Sequence, residues 1–130
     1  MTAHAAKTVR LLVAEDNPLV RDLIQKGLDP HCEVVIAEDG GDALLKVIDE
    51  PPDVILCDYK MPGLNGRQLA DAARATRPKL RVLFMTGYAE AATRTNGFLD
   101  TGMEMITKPF TLESMASRIR RMVTLGISDD

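Results

Sequence analysis

A handful of residues in this 130-residue chain have types and positions that could do chemistry together: Glu15, Asp16, Asp58, Thr86, Gly87 and Lys108. Each stands at the end of an apolar run. "VRLLVAED" ends in Glu15 and Asp16, "DVILCD" in Asp58, "LRVLFMTG" in Thr86 and Gly87, and "MEMITKPF" carries Lys108 just before Pro109. Taken singly, each has a bland explanation. An Asp after a strand is commonly a turn former or helix cap. A Lys before Pro is commonly solvated, and a Thr ending a strand reflects β-propensity. Taken together, the bland explanation must account for acids, a hydroxyl and a lysine on four different strand ends. If the first and third strands are neighbours, Glu15, Asp16 and Asp58 share one crevice. Carboxylates so close raise each other's pKa unless a cation intervenes. Mg²⁺, or Mn²⁺ in its place, is the natural cation, being hard and oxygen-seeking. Lys108 adds a positive point charge on the other side. Thr86 adds a hydroxyl, and Gly87 permits close backbone approach.

The elements that must position these residues follow from periodicity. The apolar runs already quoted, with "EVVIAED" added, predict five short strands. They are near-continuously apolar, as strands buried on both faces are. Between them lie segments of helical spacing. Pro18–Leu28 places Leu19, Leu23, Ile24 and Leu28 on an apolar stripe, with Asn17 as N-cap and Pro18 in the first turn. "GGDALLKVID" turns Ala43, Leu44, Val47 and Ile48 to the core, and "GRQLADAARATR" ends near Pro78. "EAATRTNGF" predicts a short fourth helix, the least stable because it has few large apolar residues and contains Gly97. "LESMASRIRRMVTL" puts Met115, Ile119, Met122 and Val123 on one stripe, with Thr111, Glu113 and Ser114 at its capped start. Strand–helix alternation repeated in this way predicts an α/β fold. The expectation is a doubly wound, five-stranded parallel sheet of order 2-1-3-4-5 with five helices. Such sheets bind ligands outside the carboxyl ends of their strands, where the chemical residues stand.

Composition narrows the function classes. The chain is 45% hydrophobic and 27% charged, which is ordinary for one globular domain. We expect residues 8–126 to form that domain, with tails at 1–7 and 127–130. A net charge of −3 argues against direct nucleic-acid binding driven by charge. The "RIRRM" run reads as the solvated face of the last helix. Cys32 and Cys57 have no metal-ligand spacing, and His4 and His31 form no ligand pattern. "MTAHAAKTVR" lacks the apolar stretch of a secretory signal, and no run is long enough to span a membrane. These features lead to the expectation of a cytoplasmic protein with reduced thiols. Neither a P-loop pattern nor a GxGxxG is present.

"VAEDN", "VILCDYKMPGLNG", "VLFMTGYA" and "MITKPF" together resemble the receiver domain of two-component response regulators, in the family's order and spacing over nearly the whole chain. The resemblance implies a flavodoxin-like fold and a role in bacterial signal transduction and phosphorelay. Asp58 matches the phospho-accepting aspartate. Glu15 and Asp16 match the acidic metal pair, Asp16 being the more direct ligand, and Lys60 would give its backbone carbonyl. Thr86 matches the switch hydroxyl, Lys108 the phosphate-binding lysine, and the Gly87 N–H completes the phosphate contacts. The Lys108–Pro109 bond is implied to be cis. The implied partner is a histidine kinase or histidine phosphotransfer protein, with an unidentified protein downstream. The domain would promote its own phosphorylation and dephosphorylation without being an enzyme in the ordinary sense.

The chain departs from the family at Met105, where an aromatic usually stands three positions before the lysine. Simple packing is the favoured reading of Met105. Lys60 and Tyr88 occupy positions that similar proteins use to tune hydrolysis. The C-terminal texture is similar to receivers at the ends of hybrid sensor histidine kinases. Both a stand-alone receiver and an excised domain fit, and a homodimer is open. Three other readings compete. A haloacid-dehalogenase-type hydrolase would want an acid two residues after its nucleophile, where Lys60 stands. A flavodoxin-like cofactor binder would need a phosphate-cradling loop where Glu15 and Asp16 stand. A degenerate, unphosphorylated receiver is disfavoured by the intact set of site residues.

Overall fold

The computed structural model describes residues 9–28, 32–59, 65–87 and 101–128. The elements are β1 (Val9–Ala14), α1 (Pro18–Leu28), β2 (Cys32–Ala37), α2 (Gly40–Asp49), β3 (Val54–Asp58), α3 (Gly66–Thr76), β4 (Arg81–Thr86), β5 (Met103–Thr107) and α4 (Leu112–Ser128). The short helix predicted over "EAATRTNGF" lies outside the described residues, as do Lys60 and Tyr88. The last helix runs to Ser128, two residues beyond the domain boundary drawn at 126.

All five strands pair in parallel, in the order β2-β1-β3-β4-β5. β3 is the middle strand, and Val54, Ile55, Leu56 and Cys57 are all buried. Successive side chains point to opposite faces, so each strand feeds two cores. On one face Leu12, Ile55, Cys57, Val82 and Phe84 meet Ala43 and Val47 of α2 and Leu69 and Ala73 of α3. On the other, Leu11, Val13, Leu56, Leu83 and Met85 meet Ile24 and Leu28 of α1 and Met115, Ile119 and Met122 of α4. Both faces are covered, which is why the strands are apolar throughout instead of alternating.

The helices start where their caps place them. Asn17 Oδ1 accepts from the N–H groups of Leu19 (2.9 Å) and Val20 (3.4 Å). Asp39 Oδ1 accepts from Asp42 N–H at 2.8 Å, and Thr111 Oγ1 from Ser114 N–H at 3.0 Å. α3 carries a full capping box, Asn65 and Gln68 each accepting the other's backbone N–H. A cap of this kind contributes about 1 kcal/mol.

Two helical stripes differ from the expectation. On α1 only Ile24 and Leu28 are buried, with Val20 half-buried; Leu19 is 80% and Leu23 55% exposed. Residues 20, 24 and 28 form one row of the helix. Positions 19 and 23 lie one residue, about 100°, around the cylinder. On α2 Ala43 and Val47 are buried and Leu44 is half-buried, but Ile48, one turn further along the row of Leu44 and next to the end of the helix, is exposed. The stripe of α4 is as expected: Met115, Ile119 and Met122 are buried and Val123 half-buried.

Candidate functional site

Four strand ends converge on one edge of the sheet. β1 and β3 are adjacent, with Ala14 paired to Cys57, so the residues that follow them lie side by side. Carboxylate oxygens of Glu15, Asp16 and Asp58 all fall within 4.8 Å of one another. β4 brings Thr86 beside the end of β3, Asp58 being paired with Met85. β5 ends at Thr107, opposite Thr86, and delivers Lys108. Lys108 Nζ reaches across to Asp58 Oδ2 at 3.0 Å. Lys108 N–H also donates to the carbonyl of Thr86 at 2.7 Å, tying the ends of β4 and β5 together. The Lys108–Pro109 peptide is cis. Gly87 follows Thr86 at the same edge and is half-buried.

The electrostatics differ among the acids. Asp16 is exposed, Asp58 is 13% exposed at its side chain, and Glu15 is buried. Burial pushes the Glu15 carboxyl up from 4.5 to about 7, and the charge of Asp58 pushes the same way. The Asn17 N–H, which donates to Glu15 Oε2 at 3.0 Å, and the Lys108 ammonium both oppose that rise. Glu15 Oε1 is buried with no hydrogen-bond partner among the described residues, and so is Thr86 Oγ1. Buried polar atoms in native structures are nearly always paired, so two orphans at one strand edge are notable. Behind Asp58 the Cys57 thiol is fully buried. Burial, with the charges of Asp58 and Glu15, pushes its pKa well up, leaving an inert apolar group.

A hard divalent cation fits this donor set. Clustered carboxylate oxygens, one of them buried and unpartnered, are the ligands that Mg²⁺ selects. Thr86 Oγ1 and Lys108 Nζ stand on the far side of Asp58, suited to oxygens of a bound anion. Met105 is half-buried against the cluster that contains Phe84 and Tyr59. Tyr59, next to Asp58, stacks edge-on against Phe84, with ring centroids 5.5 Å apart at 81°. That aromatic pair was not visible in the sequence, because residues 59 and 84 meet only through strand register. Nor was the hold of Asn17 N–H on Glu15, although Asn17 was legible as a cap.

The family profile of the response regulator receiver domain matches residues 11–120, a span that includes every residue of this site. The chain belongs to the receiver domains of response regulators. A receiver domain is the phosphoacceptor module of two-component signalling, and members generally bind Mg²⁺ at an acidic pocket. This receiver is 32% identical to the response regulator MprA of Mycolicibacterium vanbaalenii over 124 residues, covering 94% of this chain and 53% of that protein. It thus spans about half the length of the curated relatives it matches. Its fold is shared with a response regulator receiver domain protein from Clostridium thermocellum (TM-score 0.80, 22% identity, covering 89% of this chain and 94% of that one). The chemotaxis protein CheY4 of Vibrio cholerae is similar too (TM-score 0.76, 24% identity, 89% and 99% covered). Among the described residues of this receiver, no helix is long and apolar enough to cross a membrane.

Proposed function

We propose that Asp58 is the phosphoacceptor of this receiver and takes its phosphoryl group from a phosphohistidine on a histidine kinase or phosphotransfer protein. The observation that carries this reading is the setting of Asp58. It stands between two further acids and Lys108, with a Thr86 hydroxyl that has no partner among the described residues at the same edge. An Asp58 oxygen attacks phosphorus in line with the P–N bond. The O–P bond forms as the P–N bond breaks, and the electron pair returns to the imidazole nitrogen. The product is an acyl phosphate on Asp58, which water later cleaves to inorganic phosphate and the free carboxylate.

Such transfer depends on positioning and charge stabilisation more than on covalent help from the protein. Glu15, Asp16 and Asp58 would hold Mg²⁺ or Mn²⁺, with the main-chain carbonyl of Lys60 as a further ligand. Bound there, the ion supplies positive charge that offsets the acids and the phosphoryl oxygens. Lys108 shifts from the Asp58 carboxylate to a phosphoryl oxygen. Thr86 donates its hydroxyl and Gly87 its N–H to the others. Because Lys108 N–H is bonded to the Thr86 carbonyl, movement of either residue is felt by β4, β5 and the start of α4. That is a local electrostatic event biasing a packed element. Leu19 and Leu23, exposed on the helix that follows Asp16, suit a donor protein with an apolar helical face. Tyr88 and Lys60 are placed in the sequence to tune access of water.

Acetyl phosphate with Mg²⁺ should add one acid-labile phosphoryl group, read by intact mass, and Asp58→Asn should remove it. Retention of the added mass in the variant would move the acceptor elsewhere.

A further inference from the structure

Gly66 opens α3, yet its backbone has no positive φ to explain a glycine. Space explains it instead. A Cβ built on Gly66 would collide with the carbonyl oxygen of Asp58 and come within 3.0 Å of Tyr59 Cα. Both neighbours are backbone, so neither can rotate away as a side chain would. The Gly66 N–H donates to the Tyr59 carbonyl at 3.1 Å, and the residue is buried. From the other side, Tyr59 N–H donates to the Met85 carbonyl at 2.8 Å. The backbone following Asp58 is therefore gripped between β4 and the first turn of α3. The capping box of Asn65 and Gln68 holds that turn in place.

We infer that Gly66 is a positioning residue for Asp58: its missing side chain lets α3 serve as a backstop that sets the carboxylate against Glu15, Asp16 and Lys108. This rests on Asp58 being the acceptor. To admit a methyl group, α3 or the Asp58 peptide must retreat by roughly 1 Å to reach van der Waals distance. A displacement of that size at a reacting group can cost about 100-fold in rate. Local propensity points the other way, since Ala is favoured over Gly within a helix by about 1 kcal/mol. Gly41, also in the first turn of a helix, supplies the contrast. A Cβ there meets only Asp39 Oδ1 at 3.5 Å, an ordinary contact.

The test compares the wild-type chain with Gly66→Ala and Gly41→Ala. Mn²⁺ affinity is read from the resonance of the free ion, phosphorylation by acetyl phosphate from intact mass, and folding from thermal unfolding. Gly66→Ala is expected to lose at least about ten-fold in both Mn²⁺ affinity and initial phosphorylation rate while still unfolding cooperatively. Gly41→Ala should stay within about two-fold of wild type in both, as an uncrowded position should. A folded Gly66→Ala with wild-type affinity and rate would overturn the inference. If Gly66→Ala does not fold, amide exchange of the wild type decides. Protection of the Gly66 N–H should rise on adding Mg²⁺ while that of the Gly41 N–H does not, and equal behaviour of the two would overturn it. Failure of the wild type to bind Mn²⁺ or accept phosphate would instead defeat the proposed function.

Discussion

At the amino end of the sheet the polar groups close on one another. Asp53 Oδ2 accepts from Arg10 N–H at 2.8 Å while Asp53 N–H donates to the Arg10 carbonyl at 2.8 Å. The Arg10 side chain turns to Glu33 at 3.3 Å, and Arg74 Nε donates to the Leu80 carbonyl at 2.9 Å. At the carboxyl end, Glu15 and Thr86 each bury an oxygen with no partner among the described residues, and three acids crowd together. Both ends belong to the same strands and rest on the same cores. The amino end is built for stability. The carboxyl end keeps polar atoms unpaired, at a cost in stability, and those atoms are the ones suited to an incoming ion and phosphoryl group.

That contrast can be broken by substitution. The largest effect is expected for Lys108→Ala. It should leave metal binding in place but remove most of the conformational response to phosphorylation, followed by amide chemical shifts along β4 and β5. An unchanged response would take Lys108 out of the mechanism. Next is the pH behaviour of Glu15. Its folded pKa is raised from 4.5 to about 7, so its contribution to stability is fully present below 4.5 and lost as pH rises through about 7. Metal-free wild-type protein should therefore lose on the order of 3 kcal/mol from this group at alkaline pH. Glu15→Gln should flatten that loss and weaken Mg²⁺ binding. Denaturant unfolding at several pH values, with and without Mg²⁺, measures both effects. An equally steep pH profile in the variant would assign the loss to another group.

Asp53→Ala tests the amino end. It strips the partner from a partly buried Arg10 N–H and should cost about 1–2 kcal/mol without changing the phosphorylation rate. A slowed rate would mean that the two ends are not independent. The smallest shift has the opposite sign. Thr86→Val replaces a buried hydroxyl, unpartnered among the described residues, by a methyl group of similar shape. It should be neutral or stabilising by up to about 1 kcal/mol while blunting the response to phosphorylation. A clear loss of stability would show that the hydroxyl already has a structural role.

Much of this was readable before the fold. The strands announced themselves because a strand covered on both faces needs apolar residues at every position, a local property of sequence. Asn17 and Thr111 were readable as caps because a cap acts within three or four residues. The site residues were readable as strand ends, and topology then put them on one edge. By contrast, Leu19 and Leu23 looked buried because periodicity gives the spacing of a stripe but not the width of the face that packing covers. The Lys108–Asp58 ion pair joins residues 50 positions apart, and its 3.0 Å length depends on how β3, β4 and β5 register. The need for glycine at position 66 is likewise invisible locally, since the obstacle is the backbone of Asp58 and Tyr59 where the chain leaves β3. What the sequence determined alone is the order of elements and the chemistry at each strand end, both written in short-range patterns. What only the tertiary structure decided is distance, exposure and free space, because those depend on parts of the chain that meet only after the sheet has formed.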